Sequence, residues 1–220
     1  MALLSSRVVS RAQSAVENED GPKERANTFS IYGGMGVSLA AVPGLVNYLN
    51  TLADPTQQVS GFGTDVEFFG GAEFPVSVDW GGALEYSYLF KSYTLPTSAG
   101  TYTVFYSLNM PTAMAHYVMV GKGYFIKLGG GIGYHTGLLE QKDYYGNDLT
   151  YSAHGVGLKA QAVGQTAFDD HFYAYIGGNM RWELLGSVKS DNGTVLQNQG
   201  KVASLSMFVV GLSFGMIYYF

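Results

Sequence analysis

Val202-Ala-Ser-Leu-Ser-Met-Phe-Val-Val-Gly-Leu-Ser-Phe-Gly-Met-Ile-Tyr-Tyr-Phe220 is the stretch whose reading decides the fold. It carries no charge and is long enough for a membrane helix, but its internal order contradicts one. The small residues Gly211, Ser213 and Gly215 fall at odd positions. Phe208, Val210, Leu212, Phe214, Met216, Tyr218 and Phe220 hold the even ones. A helix would scatter the two classes around its surface, whereas a strand puts them on opposite faces. The segment reads as a strand, bulky on one side and small on the other.

The same period of two runs back through the chain, over 29–39, 64–72, 80–92, 102–110, 124–136, 156–166 and 172–188. With the last segment that makes eight strands, most of them longer than the ~5–6 residues usual in globular proteins and close to the ~9–11 a tilted membrane-crossing strand needs. Bulky residues share one face: Phe29, Ile31, Met35, Val37 and Leu39 in the first strand, for example. In the fourth, Tyr102, Val104, Tyr106, Leu108 and Met110 are assigned to that bulky face. The strand charges Asp65, Glu67, Glu85, Lys91, Lys127, Lys159, Arg181 and Glu183 all fall on the opposite, glycine-bearing face.

Composition agrees with an inside-out protein. Glycine stands at 30 of 220 residues, about twice the usual ~7%. Charged residues are 13% and aromatic residues 15%. The glycines follow no three-residue period, which excludes collagen, and the hydrophobic content excludes bulk disorder. Twelve Lys+Arg against seventeen Asp+Glu argue against a nucleic-acid partner. There is no cysteine, so no disulfide framework and no thiolate chemistry. A narrow eight-stranded barrel fills its interior with side chains, so small residues and a few paired charges belong inside and bulky apolar groups face lipid.

These observations predict an all-β fold, an eight-stranded antiparallel up-and-down transmembrane β-barrel over 27–220. Residues 1–26 are expected to be a disordered or weakly helical leader; they contain no apolar run of secretory-signal length. Turns are expected near 74–79, 111–123 and 167–171 on the periplasmic side, and loops over 43–62, 94–101, 137–149 and 189–201 outside. Lipid-facing aromatics then form two girdles. Phe29, Trp80, Tyr124, Phe172, Tyr218 and Phe220 make one, and Phe62, Tyr88, Phe90, Tyr102, Tyr134 and Trp182 the other.

The ending Ser213-Phe-Gly215-Met-Ile-Tyr218-Tyr-Phe220 resembles the terminal assembly signal of bacterial outer-membrane barrels. The chain is similar in layout to the small eight-stranded outer-membrane proteins of the OmpX, OmpA-membrane-domain and OmpW groups. That resemblance implies a Gram-negative cell envelope, residence in the outer membrane among its lipids, and engagement of the barrel-assembly machinery through Ser213, Gly215, Tyr218 and Phe220.

Other chemistry is thinly represented. Gly33-Gly-Met-Gly36 lacks the third glycine, helix and acid of a dinucleotide site, because Leu39 stands where that glycine would be. His116, His135, His154 and His171 lack metal-ligand spacing, so no metal and no cofactor is called for. Ser152 and His154 share a strand face as a nucleophile and base would. Their order differs from the His-x-Ser-Asn arrangement of lipid A deacylases, and no orienting acid is evident. Leu45, Tyr48, Leu49 and Leu52 follow Pro43 at helical spacing, a candidate lid over the barrel mouth. The leading expectation is a non-enzymatic barrel with a filled polar lumen, tied by the eight strand charges, whose external loops have a structural or interaction role. The alternatives are an OmpW-like passage or pocket for small hydrophobic molecules, and a lipid-modifying enzyme.

Overall fold

The computed structural model describes residues 28–97, 100–142 and 147–220; the leader expected over 1–26 lies outside them. Alternation of large and small side chains carries the strands further than the sequence windows reach. They are β1 (Ser30–Ala41), β2 (Phe62–Pro75), β3 (Trp80–Thr97), β4 (Gly100–Val120), β5 (Tyr124–Lys142), β6 (Asp148–Ala167), β7 (Phe172–Leu184) and the final β10 (Met207–Tyr219). A short helix α1 (Pro43–Leu49) follows β1, and a small hairpin of β8 (Gln197–Asn198) and β9 (Lys201–Val202) precedes β10. That hairpin turns through Gln199 and Gly200, both at positive φ.

Each barrel strand pairs antiparallel with its chain neighbour, and β10 closes against β1. The register fixes the tilt. A row of paired residues leaving β2 at Asp65 runs through Ser38, Gly211, Asn179, Gln161, Gly129, His116 and Gly81 and returns to β2 ten residues further on, at Pro75. Such a stagger inclines the strands and sets the bore of the barrel. At the closing seam, glycine is required. A Cβ on Gly34 would lie 2.1 Å from the Phe214 carbonyl oxygen, and one on Gly215 would lie 2.3 Å from that of Gly33.

The outward face is apolar. Ile31, Met35, Val37, Leu39, Leu84, Leu128, Ile132, Leu158, Ile176, Leu212 and Phe214 are all exposed. Exposed rings border them at the end carrying the short turns (Phe29, Trp80, Tyr124, Phe172, Phe220) and at the loop end (Phe62, Tyr134, Trp182). Tyr124 and Tyr134 lie on the same strand, about 25 Å apart along the barrel axis for a strand tilted about 40°. That is the height of a membrane barrel's apolar band. No helix among the described residues is long and apolar enough to cross a membrane; this chain crosses with strands.

Four expectations are corrected. The long turn expected over 111–123 is strand as far as Val120. Pro111 interrupts only the ladder to β5, which skips Met110 and Pro111, while the ladder to β3 continues through it. The expected loops 94–101 and 137–149 are largely strand as well, since β3 runs to Thr97, β4 starts at Gly100, β5 runs to Lys142 and β6 starts at Asp148. In β4 the faces are reversed: Val104, Tyr106, Leu108 and Met110 are buried inside, and Tyr102 also points inward, donating its hydroxyl to Gln141 Oε1 at 2.8 Å. Tyr102 therefore belongs to no lipid-facing girdle. The seventh strand, expected over 172–188, ends at Leu184, and Val188 is buried beyond its end.

Candidate functional site

The lumen is the site, and the strand period delivers its side chains. In β2, β3, β5, β6, β7 and β10 the odd residues point inward; in β1 and β4 the even ones do. All eight charges predicted for the inner face lie there, Lys91 being the least enclosed.

They form three clusters. In the middle, Arg181 pairs with Glu67 and lies 3.4 Å from Glu85, while Lys159 Nζ sits 2.6 Å from Glu85 Oε1. Glu85 also accepts from Ser87 Oγ at 2.9 Å and Tyr32 Oη at 3.1 Å. The Arg181 guanidinium donates to Ser87 Oγ at 3.0 Å. Beside this group His135 Nδ1 lies 2.6 Å from Glu183 Oε2 and its Nε2 lies 3.2 Å from Thr112 Oγ1. Toward the loop end, Asp65 accepts from Tyr106 Oη at 2.6 Å and faces Lys91 at 3.6 Å. Toward the turn end, Lys127 pairs with Glu73 and donates to Tyr219 Oη at 3.0 Å. Cross-linked, hydrogen-bonded pairs of this kind are how charges survive burial.

Polar clusters fill only the waist. Below them, Tyr32, Phe69, Phe125, Tyr173, Tyr175 and Tyr219 pack across the turn end, with Tyr32 stacked on Tyr175 and Phe125 on Tyr173. Above them the loop half holds an apolar core of Leu89, Leu95, Val104, Leu108, Leu139, Met207 and Val209. A polar lumen throughout was the expectation. The difference arises in β4, whose bulky face turns inward, and in the inward Leu89 and Leu95 of β3, Leu139 of β5 and Met207 and Val209 of β10.

α1 is seated on that upper core. Leu45, Tyr48 and Leu49 are buried in it and Leu52 packs at its edge; Gln141 Nε2 donates to Tyr48 Oη at 3.0 Å. The segment 185–206 completes the cover with Leu185, Val188, Leu196, Ala203 and Leu205. Asn198 Nδ2 donates to Thr51 Oγ1 at 3.0 Å, tying the two covers together.

Sequence reasoning missed Glu73, His135 and the inner tyrosines as members of this network. Glu73 was findable, because it continues the inward odd phase of Asp65 and Glu67. Of the four residues expected to form an assembly signal, Ser213 points inward and donates to Gly177 O at 3.3 Å, and Gly215 lies on the closing seam. Tyr218 and Phe220 face outward, their rings edge-on at 5.0 Å. Gly33–Gly36 and Gly129–Gly133 lie inside β1 and β5, and neither run opens directly into a helix. Ser152 and His154 share the outer face of β6, but His154 stacks on Tyr134. No group of His, Cys, Asp and Glu among the described residues could hold a metal ion.

No protein family model matches the chain, and no curated protein matches it in sequence. Solved structures do match in fold. The Neisserial surface protein A is 16% identical with a TM-score of 0.58, covering 87% of this chain and 97% of that one. A major outer membrane protein from Thermus thermophilus is 12% identical, with a TM-score of 0.54 over 87% of this chain and 99% of that one. Ail, the attachment invasion locus protein of Yersinia pestis, is 15% identical with a TM-score of 0.50 over 87% and 97%. Closed register, lipid-facing exterior and filled bore together give this chain the fold of the small eight-stranded outer-membrane β-barrels.

Proposed function

We propose that the protein is an ion-tight barrel of the bacterial outer membrane, held in its lipid by the apolar belt, whose function is structural or is exerted through the loop end. The observation that carries this reading is the filled bore. The Arg181–Glu67–Glu85–Lys159 layer lies between an aromatic floor and an apolar core closed by α1. What remains for interaction is the outer surface of the loop end, above all the exposed stretches within 50–61 and 189–201. The names of two similar folds, a surface protein and an attachment protein, are compatible with that role. The C-terminal strand, with Tyr218 and Phe220 facing outward, is the segment offered to the assembly machinery.

The passage or pocket for small hydrophobic molecules would require α1 to leave the core into which Leu45 and Leu49 are packed. A lipid-modifying role for Ser152 lacks a base in contact with it. The test is conductance of the refolded protein in planar bilayers together with epitope tags in intact cells. The expected result is no unitary current steps, with antibody reaching a tag at 55–58 and not one at 76–79. Porin-sized steps, or the reverse labelling, would overturn the reading.

A further inference from the structure

The two pieces that cover the barrel mouth are each too small to hold a fold alone. α1 has seven residues, and Val42 before it makes no side-chain cap; an isolated helix in water is marginal below about 12–15 residues. The segment 185–206 has no regular core and is held by short crossings that lean on one another. Val188 N donates to Ala203 O at 3.1 Å, Ala203 N to Leu196 O at 2.9 Å and Leu196 N to Val188 O at 3.0 Å. Its two ends meet at Gly186, whose carbonyl oxygen accepts from Leu205 N at 3.1 Å and from Ser204 Oγ at 2.7 Å.

Each piece supplies what the other lacks. Gly44 in α1 approaches Ser204 so closely that a Cβ there would lie 2.7 Å from the serine Cβ. Past the helix, Thr51 Oγ1 donates to Tyr48 O at 2.6 Å and accepts from Asn198 Nδ2 at 3.0 Å. Asn50 folds the following loop back on the helix end through its bonds to the Val59 backbone. Leu45 and Leu49 of the helix share one apolar cluster with Val188, Leu196, Ala203 and Leu205 of the segment. The barrel wall grips α1 through Gln141 on Tyr48 Oη, and the segment through the paired backbone bonds of Ser152 and Lys189 at 2.7 and 2.8 Å.

From this interlock we infer that α1, the loop after it and the segment 185–206 form one cooperative lid, which opens and closes as a unit on a barrel that stays shut. Regions that share their contacts open with a common free energy. Lifting either piece removes the support of the other, so neither opens alone. Opening uncovers Leu89, Val104, Leu108 and Leu139 from the loop side. The Arg181–Glu67 layer beneath them and the β1–β10 seam belong to the barrel and not to the lid. The chamber so uncovered is apolar and blind.

The test is amide hydrogen exchange read by NMR on the full chain refolded in detergent micelles. Val46, Asn50 and Ala53 on the helix side, and Val188, Leu196 and Ala203 on the other, donate their amides inside the lid. One common protection factor is expected for all of them, below that of the β1–β10 amides. Asn198→Ala should speed exchange in both halves by the same factor, about two- to tenfold, and leave the β1–β10 amides unchanged. Gly44→Ala separates a shared lid from a local effect. Alanine favours a helix over glycine, so an independent α1 would gain protection, whereas crowding Ser204 should speed exchange in both halves. The wild-type measurement stands whether or not a variant folds. Unequal protection of the two halves in the wild type, faster exchange in 185–206 alone after Asn198→Ala, or slower exchange of α1 after Gly44→Ala would overturn the proposal.

Discussion

Arg181 shows at the scale of one residue how a charge is kept inside a membrane protein. Its guanidinium reaches Glu67, Glu85, Ser87 and the Met110 sulfur, and it is almost wholly enclosed. Removing one side of such a pair strands the other. Arg181→Met should therefore destabilise the barrel by about 3–5 kcal/mol, read from urea unfolding in lipid vesicles, and adding Glu67→Gln should recover part of the loss. Glycine makes the complementary case. Gly34→Ala drives a methyl against the Phe214 carbonyl oxygen and the Phe69 ring, and about 1–3 kcal/mol should be lost. Gly61→Ala meets nothing within 4 Å and should stay within about 0.5 kcal/mol of wild type. The eight inner charges were legible in sequence because parity alone assigns a strand residue to a face. Their pairing was not, because Arg181 and Glu67 lie 114 positions apart and meet only through closure.

Elements reveal where parity misleads. In β4 the bulky residues from Tyr102 to Met110 looked like every other lipid-facing row. Yet β4 continues through Met114, His116 and Val118 on the same inward face, so His116 carried the hint that even positions point in. Bulk alone could not show it, since the loop half of the lumen is itself an apolar core built around α1. The helix was readable from Pro43 and the spacing of its leucines; its partners in 185–206 were not, because irregular loops have no period. Leu49→Ala, at a site with no exposure, should cost about 2–5 kcal/mol. Planar-bilayer recordings of that variant should stay silent, because the charged waist still closes the bore. Unitary steps after loosening α1 alone would show that the helix, and not the ion-pair layer, is the seal.

For the whole molecule, the central claim is that the bulky face meets lipid and that the two ends of the barrel lie at the two membrane interfaces. Eight strands and an apolar outer face follow from one alternation, first visible in the last nineteen residues, and the register adds the ten-residue stagger. The two tryptophans test it directly, for Trp80 marks the turn end and Trp182 the loop end, and both are exposed. The decisive measurement is quenching of their fluorescence after refolding into vesicles whose lipids carry bromine at graded acyl-chain depths. Strong quenching is predicted, greatest for bromines near the headgroups and weaker toward the bilayer centre. Emission unaffected by bromine at any depth would contradict a lipid-facing exterior.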